Sequence, residues 1–240
     1  MDFLILFEDQ NLVVINKSAG LTVNRSETTE YTLQDWVESK YPSNIRIERS
    51  GIVHRLDKET SGCLIIAKTP ESFAKLQRQF KNREVKKEYL ALVHGQVESQ
   101  EGTIKVPLGR SRADRQKFAV TPGGRISETS YQVVSYWTLD SGLPALPAGR
   151  LTLLRLFPKT GRTHQIRVHL QYFGHPIVAD DKYAGEKRAK EDRAWCQRLF
   201  LHAAKITFTH PVTNKIVSIE AELPEELKVV LSKLSAHAKN

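Results

Sequence analysis

Strand-length apolar runs outnumber helical ones along this chain, and the two do not alternate. A parallel α/β sheet needs a helix after nearly every strand, so that architecture is excluded. The pattern predicts an α+β fold with a mixed, largely antiparallel central sheet flanked by helices and loops. Strands are expected over Leu12–Asn16, Gly62–Lys68, Val85–Gly95, Ile126–Thr138 and Leu151–Phe157, with a late hairpin of Ile206–Thr209 and Ile216–Glu220. In the third of these, Val85, Lys87, Tyr89, Ala91 and Val93 fall on one face.

Helices are signalled by their ends. Thr32 caps a run to Lys40, and Thr69-Pro70 opens a helix with Phe73, Leu76 and Phe80 inward. Thr163 is the expected cap of a helix carrying Ile166, Leu170 and Phe173 and closed by Gly174. Pro224 starts a last amphipathic helix with Leu227, Val230, Leu231 and Leu234. Asp140 to Gly149 reads as a hairpin-type loop. With no repeat and no long linker, residues 1–240 are expected to form a single domain.

Composition narrows the function. Hydrophobic residues at 40% and charged residues at 26% fit a globular protein rather than disorder. No apolar run approaches the roughly 18 residues of a membrane helix. The N-terminus lacks the basic segment of a signal peptide. Two cysteines, Cys63 and Cys196, make neither a disulfide scaffold nor a four-cysteine zinc site, and a cytoplasmic protein is expected. The net charge of +9 favours a polyanionic partner. Two dense basic runs, Lys75–Lys87 and Lys105–Arg125, strengthen that expectation, although such runs are often plain solvated faces.

The densest polar cluster is His54-Arg55-Leu56-Asp57-Lys58-Glu59-Thr60-Ser61-Gly62, just before an apolar strand. A loop there can hold reactive groups on a rigid support. In extended backbone Arg55 and Asp57 point one way, His54 and Leu56 the other. Spacing alone favours a plain salt-bridged loop, with Thr60-Ser61-Gly62 making the turn. A second cluster, Lys159 to His169, runs a glycine turn into a helix N-terminus, where backbone N–H groups and Arg162 and His164 can meet an anion. An exposed basic helix start fits the same residues. Ser72-Phe73-Ala74-Lys75 and Lys159-Thr160-Gly161 match two elements of serine penicillin-recognising enzymes, but the Ser-Asp-Asn element is absent. His164 and His169, five apart, diverge on a helix and make no zinc face.

Taken together these segments resemble an RluA-type pseudouridine synthase. His54 to Gly62 resembles the family's His-Arg-Leu-Asp-x-x-Thr-Ser-Gly motif, Lys87-Glu88-Tyr89 its Lys-x-Tyr strand, and Thr160 to Leu170 its Thr-Gly-Arg-Thr-His-Gln-Ile-Arg-Val-His-Leu block. Asn16 to Leu21 resembles the first motif, with Ser18 where proline is usual. Gly174–Ile177, Leu199–Ala203 and His210–Thr213 match later segments. Ala179 and Ala184 stand in for two glycines of Gly-Asp-x-x-Tyr-Gly, a change expected to touch loop geometry rather than catalysis. The likeness runs from about residue 8 to about residue 222. The accessory RNA-binding domain that precedes the catalytic domain in some relatives is not expected.

The resemblance implies a pseudouridine synthase-like fold with a central cleft and conversion of uridine to pseudouridine in structured RNA, ribosomal or transfer. The N-glycosidic bond breaks, the uracil turns, and C5 joins C1′, with Asp57 as the essential carboxylate. Attack on C1′ and abstraction of the 2′ proton both stay open for it. Arg55 matches the arginine that fills the flipped base's place and Tyr89 the aromatic that stacks on the uracil. Arg167 matches the basic residue paired with the catalytic carboxylate, and Ile166 supports the pocket wall. Lys17 and His54 read as scaffold. No cofactor or metal is expected, no membrane, no obligatory protein partner, and a monomer. A silent RNA-binding module and a hydrolase of another glycosidic bond are the competing readings. A turnover assay separates the first and product analysis the second.

Overall fold

The computed structural model describes residues 2–25, 30–138 and 149–237, so the expected loop at Asp140–Gly149 lies outside the described residues except for Gly149. In chain order the elements begin with strands β1 (Leu4–Glu8) and β2 (Leu12–Lys17), helix α1 (Leu33–Lys40), β3 (Ser61–Ala67) and helix α2 (Pro70–Asn82). Five strands follow: β4 (Lys86–His94), β5 (Glu101–Arg110), β6 (Phe118–Val120), β7 (Arg125–Thr138) and β8 (Arg150–Pro158). Helices α3 (Gln165–Tyr172) and α4 (Glu186–Asp192) precede β9 (Leu201–Thr209), β10 (Ile216–Glu220), α5 (Glu225–Ser232) and β11 (Ser235–His237). The α+β expectation holds, and the sheet is largely antiparallel.

The chain divides into two compact units, Met1–Lys87 with Ala203–Glu222, and Glu88–His202 with Leu223–Asn240. In the first, β1, β2, β3, β9 and β10 lie in that order. Leu12, Val13, Val14 and Ile15 are fully buried, as are Leu64, Ile65 and Ile66 of β3, so these strands are covered on both faces. Helix α2 starts at the Thr69 cap, whose side chain accepts the Ser72 N–H, and Phe73 and Leu76 pack into the core with Leu12, Ile65 and Phe208. Helix α1 starts with a reciprocal cap: Thr32 accepts from the Asp35 N–H and the Asp35 carboxylate accepts from the Thr32 N–H.

In the second unit the order is β4, β8, β7, β5, β6, with β11 on β7. The core gathers Leu92, Leu154, Leu156, Ile166, Leu170 and Phe200. Among the described residues, β1, β5, β6, α4 and β11 were not visible in the pattern, and for three of them the reason is plain. Strand β5 buries only Ile104 and Leu108 fully, and its Lys105 and Pro107 mask the alternation. Strand β6 is three residues long inside the basic run. Helix α4 buries only Ala189 and Asp192, so it has no apolar face to read.

The expected Thr163 cap is corrected. Helix α3 begins at Gln165, after His164 in a left-handed conformation (φ 53°) with no side-chain cap. Gln165 does the work instead. Its Oε1 accepts from the Arg162 N–H and the Thr160 hydroxyl, and its Nε2 donates to the Glu128 carbonyl and Thr129 Oγ1. One of the N–H groups expected to meet an anion is therefore already bonded.

Candidate active site

In the first unit the antiparallel register of β2 on β3 sets Asn16 opposite Cys63 and Lys17 opposite Gly62. That register carries the Asn16–Leu21 segment to the end of the His54–Gly62 loop. Lys17 is fully buried, and its Nζ donates to the Ser18 carbonyl (2.6 Å) and the Lys58 carbonyl (3.2 Å). The Gly20 N–H also reaches the Lys58 carbonyl (2.9 Å), and the Thr60 N–H closes a turn on the Asp57 carbonyl (3.1 Å). The residue after Asp57 is thus held by two donors. Gly62 ends the loop at φ 117°, where a Cβ would lie 2.2 Å from the Ala203 carbonyl oxygen, so only glycine fits.

The alternation expected for this loop is present. Leu56 is buried, while Arg55 is exposed and Asp57 partly exposed. His54 turns inward, stacked on Phe80 with ring centroids 4.6 Å apart, and its Nε2 accepts the Ile65 N–H at 3.0 Å. The ring proton therefore sits on Nδ1. Burial, helped by the Lys87 charge, pushes His54 down to about 3. Burial alone lowers Lys87 to about 8.

In the second unit Tyr89 lies on β4 opposite Leu156 of β8. It packs, half-buried, against the large core cluster of this unit, of which Ile166 is also a member. Arg167 is not a surface helix arginine: its side chain is 7% exposed. Its Nε and Nη2 donate to Asp180 Oδ2 and Oδ1 at 2.8 and 2.6 Å, and its guanidinium lies 5.0 Å from the Tyr183 ring centre. Asp180 and Tyr183 were not read as site residues. The available signal was a charged residue on the apolar side of a helix, between Ile166 and Leu170, which demands a buried acid.

His169 is also fully buried, hydrogen-bonded through Nε2 to Ser127 Oγ (3.0 Å), and burial lowers it to about 4. Both depressed rings stay neutral in the folded protein while the unfolded chain takes up protons below pH 6.5. Their contribution is complete above that value and is lost as pH falls toward the folded values. Between pH 7 and 5 each ring costs about 2 kcal/mol, which together lowers the melting midpoint by roughly 10 °C. Calorimetry at pH 7, 6 and 5 checks this. An unchanged midpoint would mean that both rings accept protons in the folded protein.

Among the described residues no group of three His, Cys, Asp or Glu could hold a metal ion, and no helix is long and apolar enough to cross a membrane.

Residues 11–172 match the family model described as RNA pseudouridylate synthase. The chain is 36% identical over 236 residues to ribosomal large subunit pseudouridine synthase C of Escherichia coli (strain K12), covering 96% of this chain and 70% of the relative. It is 38% identical to ribosomal large subunit pseudouridine synthase D of Nitrosomonas europaea, covering 95% and 64% respectively. Among solved structures, human RNA pseudouridylate synthase domain containing 1 superposes with a TM-score of 0.77 at 27% identity, covering 98% of this chain and 89% of the other. Human RNA pseudouridylate synthase domain containing 4 gives 0.74 at 25%, covering 99% and 95%. With the Asp57 loop and the Arg167 helix in place, these likenesses make the chain a member of the RNA pseudouridylate synthase family.

Proposed function

We propose that this protein isomerises specific uridines to pseudouridine in RNA, with Asp57 as the essential carboxylate. The observation that carries this is the Asp57 loop: a partly exposed carboxylate whose next residue is clamped by Lys17 and Gly20. The names of the bacterial relatives favour large-subunit ribosomal RNA as substrate. Breaking the N-glycosidic bond leaves positive character on the sugar, which a carboxylate stabilises or traps. The uracil turns, C5 bonds to C1′, and the proton on C5 leaves; electrons balance without a redox partner. A stacked base cannot react, so the uridine is flipped out. Arg55 fills the space it leaves, Tyr89 stacks on it, Ile166 backs the pocket wall, and Arg167 supplies positive charge. Mapping pseudouridines chemically in total RNA from cells with and without this gene tests the reading. A site present only with the gene supports it, and identical maps refute it.

RNA binding itself is expected to be electrostatic. Lys86 and Arg112 are exposed within the two basic runs. Arg125 and Arg162 line an open pocket of about 410 Å³ with Gly109, Gly123, Gly124 and Gly161. Each phosphate neutralised releases counterions, so affinity falls steeply with salt. Charge reversal at Lys86 or Arg112 should weaken binding several-fold at low salt and flatten the slope of log affinity against log salt by about one unit or more. An affinity indifferent to salt would remove this part of the reading.

A further inference from the structure

Arg167 is nearly as buried as the apolar residues beside it, and a buried guanidinium demands a partner. Asp180, whose side chain has no exposed surface, supplies both oxygens along the Nε–Nη2 edge. The carboxylate is itself fixed: Oδ1 also accepts the N–H groups of Lys182 (3.0 Å) and Tyr183 (3.1 Å). Ala179 turns the chain at φ 58°, and its N–H is tied to Asp192 Oδ2 (2.8 Å), which also meets His94 Nε2 (2.8 Å). Tyr183 lies under the guanidinium, while its hydroxyl meets His164 Nδ1 (2.8 Å) and accepts the Phe118 N–H (3.0 Å). One short segment thus holds Arg167 by its edge and by its face. A planar guanidinium gripped along one edge has the direction of its other edge set.

We infer that Asp180 is a positioning residue: it aims Arg167 for the isomerisation, with Tyr183 as the plate beneath. This rests on the function proposed above. Nothing in the aiming role requires Asp180 to meet the RNA, so its loss should act on the rate and not on binding. Misplacing a reacting or stabilising group by about 1 Å can cost 10²-fold in rate.

The test uses the full chain and a transcript of bacterial large-subunit ribosomal RNA carrying tritium at C5 of uridine, in single-turnover release at saturating protein. Asp180→Asn keeps the size of the side chain and removes its charge. It should release tritium about 100-fold more slowly than wild type, with RNA affinity by filter binding within about threefold. Asp180→Glu restores the charge and should recover at least tenfold of that loss. The inference is overturned if Asp180→Asn keeps a rate within threefold of wild type, or if rate and affinity fall together. It is equally overturned if the glutamate variant is no faster than the asparagine one, or if neither variant folds, which would assign the carboxylate to the fold alone. A wild type that releases no tritium from this transcript or from total transfer RNA labelled in the same way removes the isomerase reading, and this inference with it. A wild type that releases while the variants fail the pattern removes the inference alone.

Discussion

Asp57→Asn is expected to bind target RNA as well as wild type, or slightly better, and to release no tritium from RNA labelled at C5 of uridine. Asparagine matches aspartate in size but is neutral and far less nucleophilic. It therefore spares the loop's shape while removing the charge proposed to stabilise or trap the sugar. The loop does not depend on that charge for its backbone anchors. The Thr60 N–H bonds the Asp57 main-chain carbonyl, and Lys17 and Gly20 grip the carbonyl of Lys58. Losing one negative charge from a protein of net charge +9 can only help it hold a polyanion. Pseudouridine and uridine have equal mass, so tritium release is the informative readout. Loss of an essential catalytic group typically costs at least about 10⁴-fold, and the mutant signal should fall to background. Wild type should release tritium without added metal or nucleotide. Sustained turnover by Asp57→Asn would show that another group carries the chemistry.

The parts of the fold and of the site that were legible in the sequence share one property: their constraint is local. Thr32 and Thr69 cap helices through residues three positions on, and the alternation of Arg55, Leu56 and Asp57 follows from extended backbone. His54, read as scaffold, stacks on Phe80 and accepts the Ile65 N–H. Constraints between distant residues were not legible. The cap of α3 lies elsewhere because Gln165, not Thr163, satisfies the turn, through partners at Glu128 and Thr129 on strand β7. Asp180 was passed over for a related reason. Its segment looked like a variant loop with alanines for glycines, yet Ala179 holds the left-handed turn that glycine would favour, and the carboxylate still reaches Arg167. Strand β5 hid among lysines and arginines because only every fourth residue of it is fully buried.

Tyr89 offers the second large effect, and its two substitutions divide the possible roles. Stacking on a uracil needs the aromatic face and not the hydroxyl, and base–aromatic stacking is worth about 1–3 kcal/mol. Tyr89→Ala should therefore lose roughly 10- to 100-fold in single-turnover rate, as each 1.4 kcal/mol is a factor of ten. The same change also opens space against the core cluster that Tyr89 packs on, so part of the loss comes from that cavity. Tyr89→Phe keeps the ring, its place opposite Leu156 on β8 and its contact with that cluster. It should retain much of the wild-type rate and melt within a few degrees of wild type. The comparison is informative because the two variants share the loss of the hydroxyl and differ only in the ring. A phenylalanine variant as slow as the alanine one, with its fold intact, would assign the hydroxyl a chemical part such as moving the proton that leaves C5. Stacking would then be the lesser of the two contributions.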